Sequence, residues 1–270
     1  MKKFLLIATL LTVISTLLAH EFWLSPDKFI YQKGEKINIR FFVGENFEGE
    51  NWKGNNEKVQ SLKLYFGGVS DDLSAYISEE KGDSLEMTML DEGTNLVAFN
   101  STNSYLELEA SKFNEYLKED GLTDAIEYRK QNNETDSASK EYYQRCSKTL
   151  IQVGKVKDKT FSVATDLPVD IIPLSNPYSL RNNDTLAVKI LFRNTPLRNT
   201  LIKIWQRNID KTIKTDLTSD GNGEIKFPVS ATGKWMISVV KMVRLENDPK
   251  AHPISIGWQS YWGSLTWGYE

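Results

Sequence analysis

Two histidines occur in 270 residues, and one of them, His20, stands where an apolar run ends, in STLLAHEFWLSP (residues 15–26). If an export signal is cut after Ala19, His20 becomes the first residue, and its α-amine and ring Nδ1 together form a chelate. His252, the second imidazole, completes a set of three nitrogens. Such nitrogen-rich, planar-leaning sites suit copper(II) or nickel(II), copper being the stronger binder by the usual affinity order. The amine has a reference pKa of about 8 and must lose its proton, so binding weakens steeply in acid. His20 is the main metal candidate and His252 its candidate partner. The plainer reading makes His20 the start of an edge strand and His252 a loop residue between Pro249 and Pro253.

The chelate depends on processing. Lys2 and Lys3, the apolar residues 4–18 and the small residue Ala19 read as a secretory signal. A membrane-spanning helix needs about 20 apolar residues, and after Ala19 the chain turns charged and aromatic. Cleavage after Ala19 puts Leu17 at the minus-three position. Cleavage after Ser15, with Val13 behind it, competes and removes the chelate. The signal ends without a cysteine for lipid attachment, so we expect a soluble periplasmic or secreted protein with no membrane anchor once the signal is cleaved.

Other residue sets offer less. In DLTSDGNGE (216–224), Asp216, Thr218 and Asp220 alternate like the first ligands of a calcium loop, but position twelve is Phe227, where a bidentate carboxylate is required. Asp220-Gly221 and Asn222-Gly223 read instead as the turn of a β-hairpin. The aromatic tail, Trp258, Tyr261, Trp262 and Trp267, invites a sugar-stacking reading. Strand alternation sets Tyr261, Gly263, Leu265 and Trp267 on one face and Trp262, Ser264 and Thr266 on the other, which points to core. Cys146 falls on an apolar stripe and reads as an inert thiol. There is no serine nucleophile elbow, phosphate-cradling glycine loop or helical histidine pair, so we expect no enzyme.

The elements that position these residues follow from period and composition. With one cysteine there is no intramolecular disulfide, and cores alone hold the fold. Lys plus Arg number 33 against 36 Asp plus Glu with no long run of either sign, which gives no case for nucleic acid or an anionic membrane surface. DKFIYQKGEKINIRFF (27–42) and NPYSLRNNDTLAVKILF (176–192) repeat at an offset of 149, matching Gly34 with Asn183, Glu35 with Asp184, and Ile37, Ile39 and Phe41 with Leu186, Val188 and Ile190. Each half reads as strand, tight turn and alternating strand. Residues 59–66, 84–90, 95–99, 201–206, 224–229, 234–242 and 261–267 are further strand candidates. Pro168, Pro173 and Pro177 mark a junction near 160–168. Between the halves the period becomes helical: SKFNEYLKEDGL (111–122) puts Phe113, Tyr116 and Leu117 on one face and ends at Gly121, LTDAIEYRKQ follows from Thr123, and SKEYYQRCSKTLIQVG (139–154) spaces Tyr143, Cys146, Leu150 and Val153 like a helix.

AHEFWLSP, LEASKFNEYLKEDGL, EYYQRCSKTLIQVG, DIIPLSNPYSL, TSDGNGEIKF with GKWMISVV, and WQSYWGSLTW occur here in the order seen in a bacterial exported family of unknown function. The chain resembles that family along its mature length. Members are often labelled periplasmic components of nickel or cobalt uptake, and His20 matches their histidine at the mature start, whereas His252 has no counterpart. The resemblance implies a β-rich, immunoglobulin-like architecture, and with the repeat, the proline junction and the helical period we expect a mainly β fold: a signal peptide (1–19), a β-sandwich domain (20–165) with a helical insertion at 107–153, and an immunoglobulin-like β-sandwich domain (166–270). The family label implies nickel or cobalt and metal-uptake membrane components as partners, and the donor chemistry adds copper. The alternative is an envelope interaction module that binds a glycan or a protein, with both histidines incidental.

Overall fold

In the computed structural model, which describes residues 21–77, 82–209, 211–245 and 256–270, the strands in chain order are β1 (Glu21–Pro26), β2 (Ile30–Tyr31), β3 (Lys36–Glu45), β4 (Glu48–Asn51), β5 (Val59–Phe66), β6 (Val69–Asp72), β7 (Ser84–Thr88), β8 (Gly93–Ser101) and β9 (Ser104–Leu108). Helices α1 (Ala110–Glu119) and α2 (Thr123–Gln131) come next. They lead into β10 (Ser139–Val153), β11 (Val169–Pro173), β12 (Thr185–Phe192), β13 (Thr195–Pro196), β14 (Leu201–Asn208), β15 (Lys211–Thr218), β16 (Glu224–Pro228), β17 (Lys234–Arg244) and β18 (Trp258–Gly268).

A ten-stranded central sheet has the order β15-β14-β17-β18-β10-β8-β5-β6, with β2 and β9 also on β10. A front sheet of β1, β3, β4 and β7 and a back sheet of β11, β12, β13 and β16 cover its opposite faces, as the alternation of β8 shows. Leu96 and Ala98 pack with Val188 and Ile190 of the back sheet, while Val97 and Phe99 pack with Ile39 and Phe41 of the front sheet. The two helices extend the front layer, setting Phe113, Tyr116 and Leu117 against Val240, Met242, Trp258 and Trp262. The protein is therefore mainly β, with layers stacked as sandwiches.

The repeat is visible in the outer sheets. β3 buries Ile37, Ile39 and Phe41, and β12 buries Leu186, Val188 and Ile190. Gly34 and Asn183, matched in sequence, both have left-handed backbones (φ +87° and +69°), which Gly adopts freely and Asn tolerates. Gly34 N donates to Met89 O and Asn183 N to Val229 O, at 2.7 and 2.8 Å. Glu35 and Asp184 each accept from the backbone N–H three residues before, at 2.9 and 2.8 Å.

Two expectations need correction. Residues 139–153 form a strand, β10, and not a helix, so helices occupy only 110–119 and 123–131 of the stretch. β10 pairs parallel to β18 and antiparallel to β8 and β9, and is covered on both faces. A strand buried on both faces carries no period-two signal, and Tyr143, Cys146, Leu150 and Val153 fell on helical spacing by coincidence. The turn at DLTSDGNGE does not close a hairpin: β15 pairs with β14 and β16 with β12, so it carries the chain from the central sheet to the back sheet. Across the expected junction at 165 and 166 the central sheet is continuous, because β10 and β18 are neighbours. The signal segment 1–19, His20 and His252 lie outside the described residues.

β1 is an edge strand laid on the central sheet. Its carbonyls at Phe22 and Leu24 accept hydrogen bonds from Ser264 Oγ (2.6 Å) and Thr266 Oγ1 (2.7 Å) of β18. That accounts for polar residues on a buried strand face: each satisfies a backbone carbonyl of β1. The register of β1 is fixed on its other side by β3, from Glu21 opposite Gly44 to Pro26 opposite Ile39.

Candidate functional site

The first described residue, Glu21, has a buried side chain. Its Oε1 lies 3.3 Å from Lys203 Nζ, which also donates to Asp120 Oδ1 at 2.6 Å. Each member comes from a different element. β1 supplies Glu21 and β14 supplies Lys203, on the face opposite Ile202 and Ile204. Asp120 follows the last turn of α1, where Gly121 (φ +62°) turns the chain. An acid at a helix C-terminus opposes the macrodipole, so Lys203 offsets both the dipole and the burial.

Burial raises the Asp120 carboxyl to about 6, even with Lys203 beside it. Burial opposes the Lys203 charge, yet the two carboxylates hold its ammonium above the ordinary value. Deeper in, Glu141 of β10 accepts from Tyr116 OH (3.2 Å) and from Ser260 Oγ, and burial pushes it up to about 8. Trp262 stacks on Tyr116 with centroids 5.6 Å apart and donates through Nε1 to Ser260 Oγ at 3.0 Å. The crevice bounded by Glu21, Asp120, Lys203 and Trp262 has about 10 Å³ of free space, room for one water-sized group.

His20 directly precedes Glu21 in the sequence but lies outside the described residues. The structure does not place its side chain or that of His252, and it neither joins nor separates the two. Among the described residues, no three His, Cys, Asp or Glu side chains are grouped to hold a metal ion. The rejected calcium loop is accounted for: Asp220 Oδ1 accepts from Asn222 N and Glu224 N at 2.8 and 2.9 Å, a turn bond that also keeps its carboxyl below the usual range. Trp258, Tyr261, Trp262 and Trp267 are all buried, which leaves no sugar platform there. The Cys146 thiol is buried and pushed up to about 12, as expected of an inert core cysteine.

Sequence reading passed over Glu21, Asp120, Lys203 and Glu141. Lys203 carried a usable signal, since Leu201 and Trp205 two residues to either side make a lysine on an apolar face. Asp120 carried another, as an acid at the wrong end of a helix.

The family described as Domain of unknown function (DUF4198) matches residues 17–242. No curated protein matches the chain. Among solved structures, the D0-D1 domain of intimin is similar at 13% identity over 93% of this chain and 98% of its own, with a TM-score of 0.23. A DUF4785 family protein from Legionella pneumophila is similar at 12% over 82% and 51% (TM-score 0.25). Fibronectin(III)-like modules of CbhA from Clostridium thermocellum are similar at 11% over 91% and 94% (TM-score 0.19). Among the described residues no helix is long and apolar enough to cross a membrane.

Proposed function

The chain belongs to the family described as Domain of unknown function (DUF4198), and from that premise we propose an exported, non-enzymatic protein that binds a divalent transition metal, nickel, cobalt or copper, through His20 at its processed N-terminus. In this reading residues 20–165 and 166–270 are two immunoglobulin-like units sharing the central sheet, and the metal passes to membrane components of an uptake system. The observation that supports it most is the charge around Glu21. Two buried carboxylates, Glu21 and Asp120, face one ammonium, Lys203, in a crevice with room for a single ion, one residue from His20. A cation there offsets the surplus negative charge, and the α-amine and imidazole of His20 add nitrogen donors to oxygen ones. His252 is the candidate further imidazole.

A second reading has one observation in its favour. β15 is an edge of the central sheet, and Ile213 on it and Ile209 before it are exposed, a surface that a protein partner could extend by strand pairing. Mass spectrometry of the exported chain, followed by copper and nickel titration, separates the two. A chain that begins at His20 and binds one metal ion, with binding lost in His20→Ala, supports the metal reading. A chain that begins at Thr16, or a flat titration of the His20 form, supports the partner reading.

A further inference from the structure

A second buried ion pair sits in the other core. Lys148 of β10 donates through Nζ to Asp170 Oδ1 of β11, and both side chains are enclosed, with 1% and 3% exposed. Lys148 lies on the same face of β10 as Cys146 and Leu150 of the back core, and its pair with Asp170 joins the central sheet to β11 of the back sheet. The approach is close because β18 has glycine opposite β11: a Cβ on Gly263 would stand 2.4 Å from Val169 Cγ1.

As an ion pair this arrangement is incomplete. An ammonium has three donors, and among the described residues Lys148 Nζ has one hydrogen-bond partner, Asp170. Buried charges usually need their remaining hydrogen bonds satisfied. The carboxylate, by contrast, is held at both oxygens, since Thr165 N–H donates to Oδ2 at 2.6 Å.

We propose that Lys148 and Asp170 condense to an intramolecular amide, a covalent tie between the central and back sheets. Nζ passes one proton to Oδ1, and the freed nitrogen lone pair attacks Cγ. Negative charge then develops on Oδ2, where the Thr165 amide already points, the placement an oxyanion donor needs. Oδ1 leaves as water with the proton it received and a second from nitrogen. The ammonium and carboxylate together contain all the atoms of the amide and the water, so no other reactant is required. Proximity supplies the drive, because both groups are fixed in a core that excludes competing nucleophiles, and the product carries no charge. In a chain with one cysteine, this amide takes the place of a disulfide.

The test is a tryptic digest of the purified full chain read by tandem mass spectrometry. An amide at Lys148 blocks cleavage there and gives a branched product, CSKTLIQVGK (146–155) joined to TFSVATDLPVDIIPLSNPYSLR (160–181), lighter than the two peptides by one water. Lys148→Arg, which keeps charge but cannot form this amide, gives unbranched peptides and restores the full mass. Cleavage after Lys148 in the wild-type chain, with an intact mass equal to that of the sequence from its measured N-terminus, overturns the proposal. The wild-type result decides it even if Lys148→Arg does not fold.

Discussion

Three buried acids, Glu21, Asp120 and Glu141, give the molecule its residue-scale tests. Lys203 balances Glu21 and Asp120 together, so Lys203→Met leaves two buried carboxylates facing each other and lowers unfolding stability in urea by about 3–5 kcal/mol, the cost of breaking a buried pair from one side. Adding Asp120→Asn recovers part of that loss. A Lys203→Met chain as stable as wild type contradicts the charge accounting. Glu141 sets a pH dependence whose sign follows from its direction. Burial raises its folded value to about 8, so in the window from its unfolded value up to 8 the folded state binds more protons than the unfolded one. Its contribution is full below the unfolded value and is lost as pH rises through 8, and Asp120 acts in the same sense up to about 6. Glu141→Gln therefore flattens the decline in stability between pH 5 and 9 by roughly 3 kcal/mol, measured by denaturant melts across that range. An unchanged slope contradicts the assignment.

At the scale of elements, the tether of β1 to β18 matters most, because it holds the strand that carries Glu21. Thr266→Val removes the hydroxyl that satisfies Leu24 O and costs about 1–3 kcal/mol, the penalty of a buried carbonyl left without a donor. Hydrogen exchange should rise across residues 21–26 more than in β8; a uniform change across the molecule contradicts a local tether. The same strands show what a sequence reveals. β3, β5, β12 and β16 have alternating or well-bounded runs and were legible, as was the repeat that pairs Gly34 with Asn183. The face of α1 with Phe113, Tyr116 and Leu117 was legible for the same reason. β10 was not, because burial on both faces erases alternation and its apolar residues fell on helical spacing. His20 stood out by rarity and lies outside the described residues, whereas the carboxylates and Lys203 meet only through packing between β1, α1 and β14, which no local pattern encodes.

For the whole molecule, the shared central sheet couples the halves. Strands from residues 59–153 and 201–268 form one ladder, so calorimetric unfolding should be a single transition whose calorimetric and van't Hoff enthalpies agree. Two resolved transitions contradict that coupling. β1 of the first half packs on β18 and sets Glu21 against Lys203 of β14, both in the second half, and the proposed chelate rests on the residue that precedes Glu21 in the sequence. Isothermal titration with nickel(II) or copper(II) at neutral pH, comparing the chain that starts at His20 with one that starts at Thr16, tests this directly. Both forms keep every imidazole and carboxylate, but only the first has the α-amine on His20. The account predicts one site in the His20 form and affinity at least roughly tenfold weaker in the Thr16 form, since a chelate loses its deprotonated nitrogen. Equal affinity in the two forms, or none in either, contradicts it.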